Sequence, residues 1–537
     1  HRDPGCIHRR QRSPTVIRDG LRRGYRRSML ACCLQRSPVL VAAVLLAATA
    51  PTFAAAPAKR LNVLWICADD HAPYVLGAYG NRRAKTPNLD LLAAGGMRFD
   101  RAFCNSPVCT ASRQSFITGR YPRTLGVTQL STPLPAGDTT LADVLKQAGY
   151  ETAAFGKMHF NSELKHGFEK RLDLADFAEA IAARGRTKIP ADAGVQPPWH
   201  PFKDPARIWL NAAALPTASF DADTSATYFA KQADRFLNEP RDKPFFLFVS
   251  FYEPHSPFHF PIEDRGRFDP SRFEVPAIEH QDEWQVPAVF RSLTPREKQG
   301  IAAAYYTSVA FLDRNVGRVL AALEKSGQAD RTLVIYTGDH GYLLGQHGRF
   351  EKHCSYEEAI RAPLLIRCPG NVRPGSSTRA LVEFIDIFPT VLDLCGVPIP
   401  ANVQGRSLRR VLNGEIATHR SQVFIEYAPN DEAAVRDDRW KLIFERGQRR
   451  RIDGYDTGLP LPGRRIRLYD LETDPAESHD AATRPENADR VRRMLALLAE
   501  HLRSTARQPA PISGSSDLLD QLDFLVQPND VRSTVAR

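Results

Sequence analysis

The sequence predicts an α/β fold in a chain of two unequal domains, and three observations support this. Continuous apolar runs rich in β-branched and aromatic residues, typical of strands buried on both faces of a sheet, occur at residues 61–68, 245–251 and 332–336. Segments with helical periodicity separate these runs, the longest at 294–325. At 537 residues the chain also exceeds what one hydrophobic core usually serves, so we expect a large domain and a smaller one.

Other elements follow the same reasoning. A strand is predicted at 150–155, after an amphipathic helix at 139–149, and a further helix at 381–395. From about residue 402 the pattern changes to short alternating strands separated by polar turns, which is typical of an antiparallel sheet, and a helix follows at 487–503. The predicted boundaries are 57–400 for the large domain, 401–510 for the smaller α+β domain and 511–537 for a tail without periodicity.

The net charge of +11 is concentrated in one segment. Residues 1–60 hold 12 Lys and Arg against 2 Asp and Glu, which leaves 60 basic and 59 acidic residues in the remainder, so no nucleic-acid partner is expected. Residues 39–50 form an apolar run too short to cross a bilayer, and small residues follow at 52–56. We therefore expect 1–56 to comprise upstream sequence and a secretory signal peptide, with export to the periplasm or the medium and no stable membrane insertion.

The stretch 107–121 contains the residue best suited to covalent chemistry, Cys109. It comes just before a run that can be helical, 112–118, which Gly119 ends, so its side chain is expected at a helix N-terminus, where negative charge is favoured. Arg113 lies four residues further on and projects from the same face. A cysteine alone is more often a structural thiol, but a sulfur and a guanidinium held together suit an anionic substrate.

Polar residues follow the predicted buried strands. Asp69 and Asp70 end the first strand, and ligands of open α/β sheets bind at the carboxyl ends of strands. Two adjacent carboxylates repel each other unless a cation lies between them or one is protonated; the alternative is a helix cap with one solvated acid. Lys157 and His159 follow the strand at 150–155 and share a face if the chain stays extended. His255 follows the strand at 245–251, and histidine can protonate a departing alkoxide.

The segment Cys109-Thr110-Ala111-Ser112-Arg113, followed by Thr118-Gly119-Arg120, resembles the signature of the type I sulfatases. In that family a cysteine in Cys-x-Pro-x-Arg is oxidised to formylglycine, the catalytic nucleophile; here Ala111 stands where proline is usual. The resemblance extends over residues 61–505 and includes Asp339-His340, where histidine is typical of an iduronate-sulfatase-like branch.

The resemblance implies the details of the fold and the site. It implies a large doubly wound mixed sheet flanked by helices, as in the alkaline-phosphatase superfamily, with a smaller C-terminal domain of antiparallel sheet plus helix. It also implies hydrolysis of sulfate monoesters, in particular of a sulfated carbohydrate, after a formylglycine-generating maturase has converted Cys109. The implied ligands of Ca²⁺ are Asp69, Asp70, Asp339, His340 and the modified Cys109. The other implied site residues are Arg113, Lys157 and Lys352 around the sulfate, His159 beside the formylglycine, and His255 or Lys352 as proton donor to the leaving alcohol.

Two alternatives remain open from the sequence. The same site could serve a phosphonate monoester or phosphodiester hydrolase, because an anion pocket barely distinguishes a tetrahedral sulfur centre from a tetrahedral phosphorus centre. A chain that never matures because of Ala111 would instead be a non-catalytic binder of sulfated glycans. We expect residues 160–222 to form an insertion over the site, in which Trp199, His200 and Trp209 pack the loop or stack on a sugar ring.

Overall fold

An eight-stranded mixed sheet forms the centre of the large domain. The computed structural model describes residues 60–197, 210–451, 455–507 and 514–531. The predicted signal peptide, together with Trp199, His200 and Trp209, lies outside the described residues.

The strands of the large domain are β1 (Asn62–Ala68), β2 (Met97–Phe99), β3 (Ala102–Phe103), β4 (Glu151–Gly156), β5 (Lys170–Leu172), β6 (Phe245–Ser250), β7 (Thr332–Gly338), β8 (Leu364–Arg367), β9 (Ser376–Thr378) and β10 (Val382–Glu383). β3 and β10 pair with each other, and the other strands form one sheet in the order β5-β4-β6-β1-β7-β8-β2-β9. Neighbours from β5 to β7 are parallel, whereas β8 runs antiparallel to both β7 and β2. The sheet is therefore mixed, as predicted.

Helices cover both faces of this sheet. The helices of the described chain are, in order, α1 (Pro87–Ala94), α2 (Cys109–Thr118), α3 (Pro122–Leu125), α4 (Leu141–Gln147), α5 (Leu174–Arg184), α6 (Ser225–Asn238), α7 (Ala288–Arg291), α8 (Pro295–Lys325), α9 (Glu357–Ile360), α10 (Ile387–Leu394), α11 (Arg409–Leu412), α12 (Ala488–Ser504) and α13 (Leu518–Leu525), of which α12 and α13 lie outside this sheet. Alternate side chains of β1 enter different cores: Trp65 packs in the core that includes residues of α2, α4 and α10, and Ile66 in the core that includes residues of α1, α6 and α8. Both faces of β1 are thus buried, which is why its sequence is continuously apolar.

The C-terminal part contains a four-stranded antiparallel sheet, β11 (Val423–Tyr427), β12 (Glu432–Arg436), β13 (Trp440–Glu445) and β14 (Arg465–Asp470), in sequential order. One face of this sheet packs on α12 and α13. Buried ion pairs join it to the large domain, among them Arg123 with Glu426, at 2.8 Å, and Lys441 of β13 with Glu357 of α9, at 3.5 Å. The architecture confirms the predicted fold class.

Several predicted elements differ from the observed ones. The helix expected at 381–395 begins only at Ile387, because Val382–Glu383 pairs with β3 as a strand. The segment 511–537, predicted as a tail without periodicity, contains α13, whose Leu522 and Leu525 are buried against α12. β12 was not predicted, nor were β5 and α5 within the expected insertion. Among the described residues, no helix combines the length and the apolar character that crossing a membrane requires.

Candidate active site

The N-terminus of α2 carries Cys109. The helix begins at this residue and ends at Gly119, which has φ +67° and lies so close to Phe388 that a Cβ there would come within 2.9 Å of its side chain. Glycine is therefore required at this end both for its backbone conformation and for the packing of α2 on α10. Cys109 is only 2% exposed. As predicted, its side chain lies at a helix N-terminus, which favours negative charge.

The ends of β1 and β7 bring two polar pairs together. These strands are parallel neighbours with Ala68 opposite Gly338, so the residues that follow them meet at one edge of the sheet. The backbone N–H of Asp70 donates to Oδ1 of Asp339 at 3.0 Å, and the N–H of His340 donates to the same oxygen at 3.0 Å. Asp69, Asp70, Asp339 and His340 are all fully buried.

Four cationic groups lie among these acids. Lys157 contacts a carboxylate oxygen of Asp69. Nζ of Lys352 lies 2.6 Å from Oδ1 of Asp70 and 3.3 Å from Sγ of Cys109. The guanidinium of Arg113 donates to Oδ2 of Asp339 at 2.8 Å and lies 3.7 Å from Oδ1 of Asp69. Nε2 of His340 is 3.2 Å from Sγ of Cys109. We call these residues together the Cys109 cluster: Asp69, Asp70, Cys109, Arg113, Lys157, Asp339, His340 and Lys352.

The charges of the cluster shift the acidity of its members. Burial raises the pKa of the Cys109 thiol, but Lys157, Lys352 and His340 outweigh this effect and hold the pKa well below its ordinary value. Burial lowers the pKa of His340, yet the neighbouring Asp339 and Cys109 raise it to about 9. Burial and the charge of Asp69 raise the pKa of Asp339. The cluster therefore stabilises an anion at position 109.

Arg113 has a different environment from the one its spacing suggests. It projects toward Cys109 as expected, but it is 1% exposed and its N–H groups also donate to the carbonyl of Lys157 at 2.8 Å and to Oγ of Ser250 at 2.7 Å. Arg113 consequently holds Asp339 and the backbone of Lys157 in place, and its charge interacts with Asp69 and Cys109.

Of the two histidines predicted for the site, His159 lies beside Cys109 and His255 lies nearer to Asp69. β4 ends at Gly156, and His159 has a left-handed backbone with φ +60°, so the chain is not extended from Lys157 to His159 as predicted. The turn nevertheless places the His159 side chain beside Cys109, and burial lowers the pKa of His159. His255 is half-buried; its Nδ1 lies 2.7 Å from the carbonyl oxygen of Ser256, and its ring is close enough to Asp69 to interact with it electrostatically.

Part of the cluster could hold a metal ion. Ligand atoms of Asp69, Asp70, Cys109 and His340 all lie within 4.8 Å of one another. Oδ1 of Asp69 and Oδ2 of Asp70 are buried and accept no hydrogen bond from the described part of the chain. Asp339 lies beside this group, with both carboxylate oxygens already accepting hydrogen bonds. Uncommitted carboxylate oxygens fit a hard divalent cation.

Sequence reasoning missed several residues that build the site. Oγ of Ser112 donates to the carbonyl of Asp339 at 2.5 Å and so ties α2 to the end of β7. The carbonyl of Glu253 accepts the N–H of Asp69 at 3.2 Å, and burial raises the pKa of the Glu253 carboxyl to about 7. The hydroxyl of Tyr305 donates to the carbonyl of Asp70 at 2.5 Å. Serine and glutamate at these positions carry no sequence signal, because their roles depend on contacts between distant segments.

An α/β fold with a buried cluster of charged side chains at the ends of its strands suits an enzyme that acts on an anionic ester. The model of the sulfatase family matches residues 61–397, and a model described as the C-terminal part of N-sulphoglucosamine sulphohydrolase matches 345–505. The chain therefore belongs to the sulfatase family, and it is a sulfuric ester hydrolase.

One curated relative and two solved structures illustrate what the chain is similar to. A curated relative, N-acetylglucosamine-6-O-sulfatase of Bacteroides thetaiotaomicron, is 28% identical over 501 residues, covering 82% of this chain and 86% of that protein. The solved structure of the phosphonate monoester hydrolase of Agrobacterium radiobacter has a TM-score of 0.70 and 25% identity, covering 85% of this chain and 98% of that one. A solved structure with its substrate D-glucosamine-2-N,6-O-disulfate bound has a TM-score of 0.66 and 24% identity, covering 83% and 98%, and shares the fold.

Proposed function

We propose that this chain is a formylglycine-dependent sulfatase that removes sulfate from a carbohydrate. The observation that carries the proposal is the environment of Cys109, whose Sγ lies 3.2 Å from Nε2 of His340 and 3.3 Å from Nζ of Lys352 at the start of α2. A sulfate monoester is an anion that repels nucleophiles. A site that concentrates fixed positive charge around one reactive side chain offsets that repulsion before the reaction begins.

The proposed nucleophile is the residue made from Cys109. Once formed and hydrated, formylglycine supplies a hydroxyl group that attacks sulfur. The proposed partner for its formation is a formylglycine-generating maturase. Because Cys109 is 2% exposed in the folded chain, this partner must reach it before folding is complete.

The remaining side chains have distinct proposed roles. Lys157 and Lys352 bind the sulfate oxygens from two sides, since each ammonium group already lies against an acid of the cluster and is held in place by it. His159, in contact with position 109, accepts a proton from the hydroxyl group there. His255 at the rim of the site, or Lys352, donates a proton to the leaving alcohol.

Asp69, Asp70, Asp339 and His340, with the modified residue 109, are the proposed ligands of Ca²⁺. Oxygens of Asp69 and Asp70 that accept no hydrogen bond from the described chain support a hard cation. The imidazole of His340 fits it less well, because calcium prefers oxygen donors. Bound there, Ca²⁺ supplies positive charge to the sulfate oxygens and acidifies the attacking hydroxyl.

A carbohydrate sulfate is the proposed substrate class. The support is the relative named for N-acetylglucosamine-6-O-sulfate, which aligns over 82% of this chain. We also propose that the chain is exported to the periplasm or the medium, in line with the apolar run at 39–50, and that 57–400 and 401–510 act as the catalytic domain and its C-terminal subdomain.

The experiment that tests the proposal combines mass spectrometry with a substrate panel. The protein is coexpressed with a formylglycine-generating enzyme, and the peptide around Cys109 is expected to lose about 18 Da, the change from thiol to aldehyde. Hydrolysis of an aryl sulfate and of glucosamine 6-O-sulfate should rise with the converted fraction. Full conversion with no turnover of any sulfate ester would contradict the proposal, and no conversion with retained glycan binding would favour the non-maturing binder.

A second candidate function is the hydrolysis of phosphonate monoesters or phosphodiesters. The observation that favours it is the similarity to the phosphonate monoester hydrolase of Agrobacterium radiobacter, at a TM-score of 0.70. The two candidates share the nucleophile and the metal, so only the reacting centre distinguishes them. Side-by-side turnover of an aryl sulfate and a phenyl phosphonate ester decides: faster cleavage of the phosphonate would replace the first candidate by the second.

A further inference from the structure

The segment 526–531, which follows α13, lies along a loop next to the Cys109 cluster. We call residues 126–132 the wall loop. The N–H of Val531 donates to the carbonyl of Gly126 at 2.8 Å, and the N–H of Asn529 donates to Oγ1 of Thr128 at 3.2 Å. A Cβ at Gly126 would lie 2.7 Å from the side chain of Val531, so the two segments are in direct contact.

Asp530 makes most of the hydrogen bonds between these segments. Its carboxylate accepts the backbone N–H groups of Thr128 at 2.8 Å and Gln129 at 3.2 Å, Oγ1 of Thr128 at 2.5 Å, and Nε2 of Gln129 at 2.9 Å. The hydroxyl of Thr132 also donates to it. Hydrogen bonds to a carboxylate are stronger than those between neutral groups, so this one side chain holds the backbone at Thr128 and Gln129 and the side chain of Thr132.

Two backbone carbonyls of the wall loop accept hydrogen bonds from side chains that lie close in sequence to Cys109 and His159. The carbonyl of Leu130 accepts Oγ1 of Thr110 at 2.6 Å and Nδ2 of Asn161 at 2.7 Å. The carbonyl of Thr132 accepts Nε2 of Gln114 at 3.1 Å and Nδ2 of Asn161 at 3.2 Å. Thr110 directly follows Cys109 on α2, and Asn161 lies two residues after His159. The wall loop therefore joins the turn that carries Cys109 to the turn that carries His159.

We propose that Asp530 is a positioning residue for the sulfatase reaction: by fixing the wall loop it holds Cys109 and His159 at their mutual distance. The proposal rests on the proposed function for the roles of those two side chains. The backbone of His159 gives a reason for such a clamp, because φ +60° is a conformation that a non-glycine residue rarely adopts and that its surroundings must maintain. Asn161, at φ +53°, belongs to the same turn.

The test compares Asp530→Ala with Asp523→Ala as a matched control. Asp523 belongs to α13 in the same part of the chain and pairs with Arg464 at 2.6 Å, away from the wall loop. In the converted enzyme, Asp530→Ala should lower kcat by about tenfold or more while KM changes little, because a misplaced reacting pair costs rate and leaves substrate contacts intact. Asp523→Ala should leave kcat unchanged. Thr132→Val, which removes one donor to Asp530, should give a smaller fall.

A second readout does not depend on the proposed chemistry. Protein produced without a maturase retains the Cys109 thiol, and its alkylation by iodoacetamide is followed on the peptide that contains it. Asp530→Ala should accelerate this alkylation by about tenfold, equal to about 1.4 kcal/mol in local opening, with the melting temperature close to that of the parent.

The outcomes separate the two proposals. Unchanged kcat and unchanged alkylation in Asp530→Ala would overturn the positioning role, as would equal effects in Asp523→Ala, which would indicate general anchoring of α13. If Asp530→Ala does not fold, kcat and the alkylation rate of Cys109 are measured on Thr132→Val instead. If the parent protein forms no formylglycine and cleaves no sulfate, the proposed function fails while the alkylation experiment still decides on Asp530.

Discussion

Replacing Lys352 by methionine tests the electrostatic basis of the site. Nζ of Lys352 lies 2.6 Å from Asp70 and 3.3 Å from Cys109, and the side chain is 7% exposed, so solvent screens its charge weakly. Lys352→Met keeps the apolar stem and removes the charge. A hydrogen bond to a charged group contributes about 1.5–3 kcal/mol, which predicts a fall of roughly 10- to 150-fold in kcat/KM.

The assay is hydrolysis of an aryl sulfate, with rates normalised to the converted fraction of Cys109. Lys352→Arg keeps the charge on a group of different shape, and its kcat/KM should lie between those of the parent and Lys352→Met. Lys441→Met is the matched control, because Lys441 is also buried and ion-paired, with Glu357 and Glu477, but lies in β13. It should cost about 3–5 kcal/mol in the free energy of unfolding and leave kcat/KM unchanged. A Lys352→Met enzyme within about threefold of the parent would refute the reasoning.

Further predictions concern the nucleophile, the metal and a buried acid. Cys109→Ala should abolish turnover with little change in melting temperature, and parental activity in this variant would exclude the mechanism. Asp69→Ala should lose bound calcium, as measured by elemental analysis, together with activity; unchanged metal content would remove Asp69 from the ligand set. Burial raises the pKa of Asp313, on α8, from 3.8 to about 6. Since the folded state then binds the proton more tightly than the unfolded chain, the stability contributed by this group falls as pH rises from about 4 to 6, by on the order of 3 kcal/mol. Asp313→Asn should remove that slope from urea unfolding curves recorded across this range, and an unchanged slope would contradict it.

The buried strands and the residues at their ends could be predicted from the sequence. β1 and β7 consist mostly of apolar residues because both of their faces are covered, and such a run can be recognised without knowing the partner strands. That Asp339 lies beside Asp69 was expected only from the resemblance to the sulfatases, because the sequence does not show that β1 and β7 are neighbouring strands. The structure adds that Asp70 binds Asp339 through its backbone N–H.

Elements whose conformation depends on distant partners could not be predicted. The run at 381–395 is apolar enough for a helix along its whole length, but Val382 pairs with Ala102, nearly 300 residues earlier. α13 buries only one face, and it does so by packing on α12. Its helical conformation therefore depends on a partner that the local sequence does not show. The turn at His159 was misjudged because its left-handed backbone is fixed through Gln114 and the wall loop, not by local sequence.

Under the proposed function, the charge balance of the Cys109 cluster predicts that conversion of the cysteine matters for binding as well as for reactivity. Three carboxylates and a thiolate face two lysines, an arginine and a histidine whose pKa is raised to about 9, so the unconverted cluster is close to neutral. An aldehyde at position 109 carries no charge, and its formation would leave one positive charge without a partner. The thiolate also occupies the point toward which Lys352 and His340 converge. Under the proposed function, conversion therefore removes an internal anion from that point, and unconverted protein should bind sulfate esters more weakly than the converted Cys109 form.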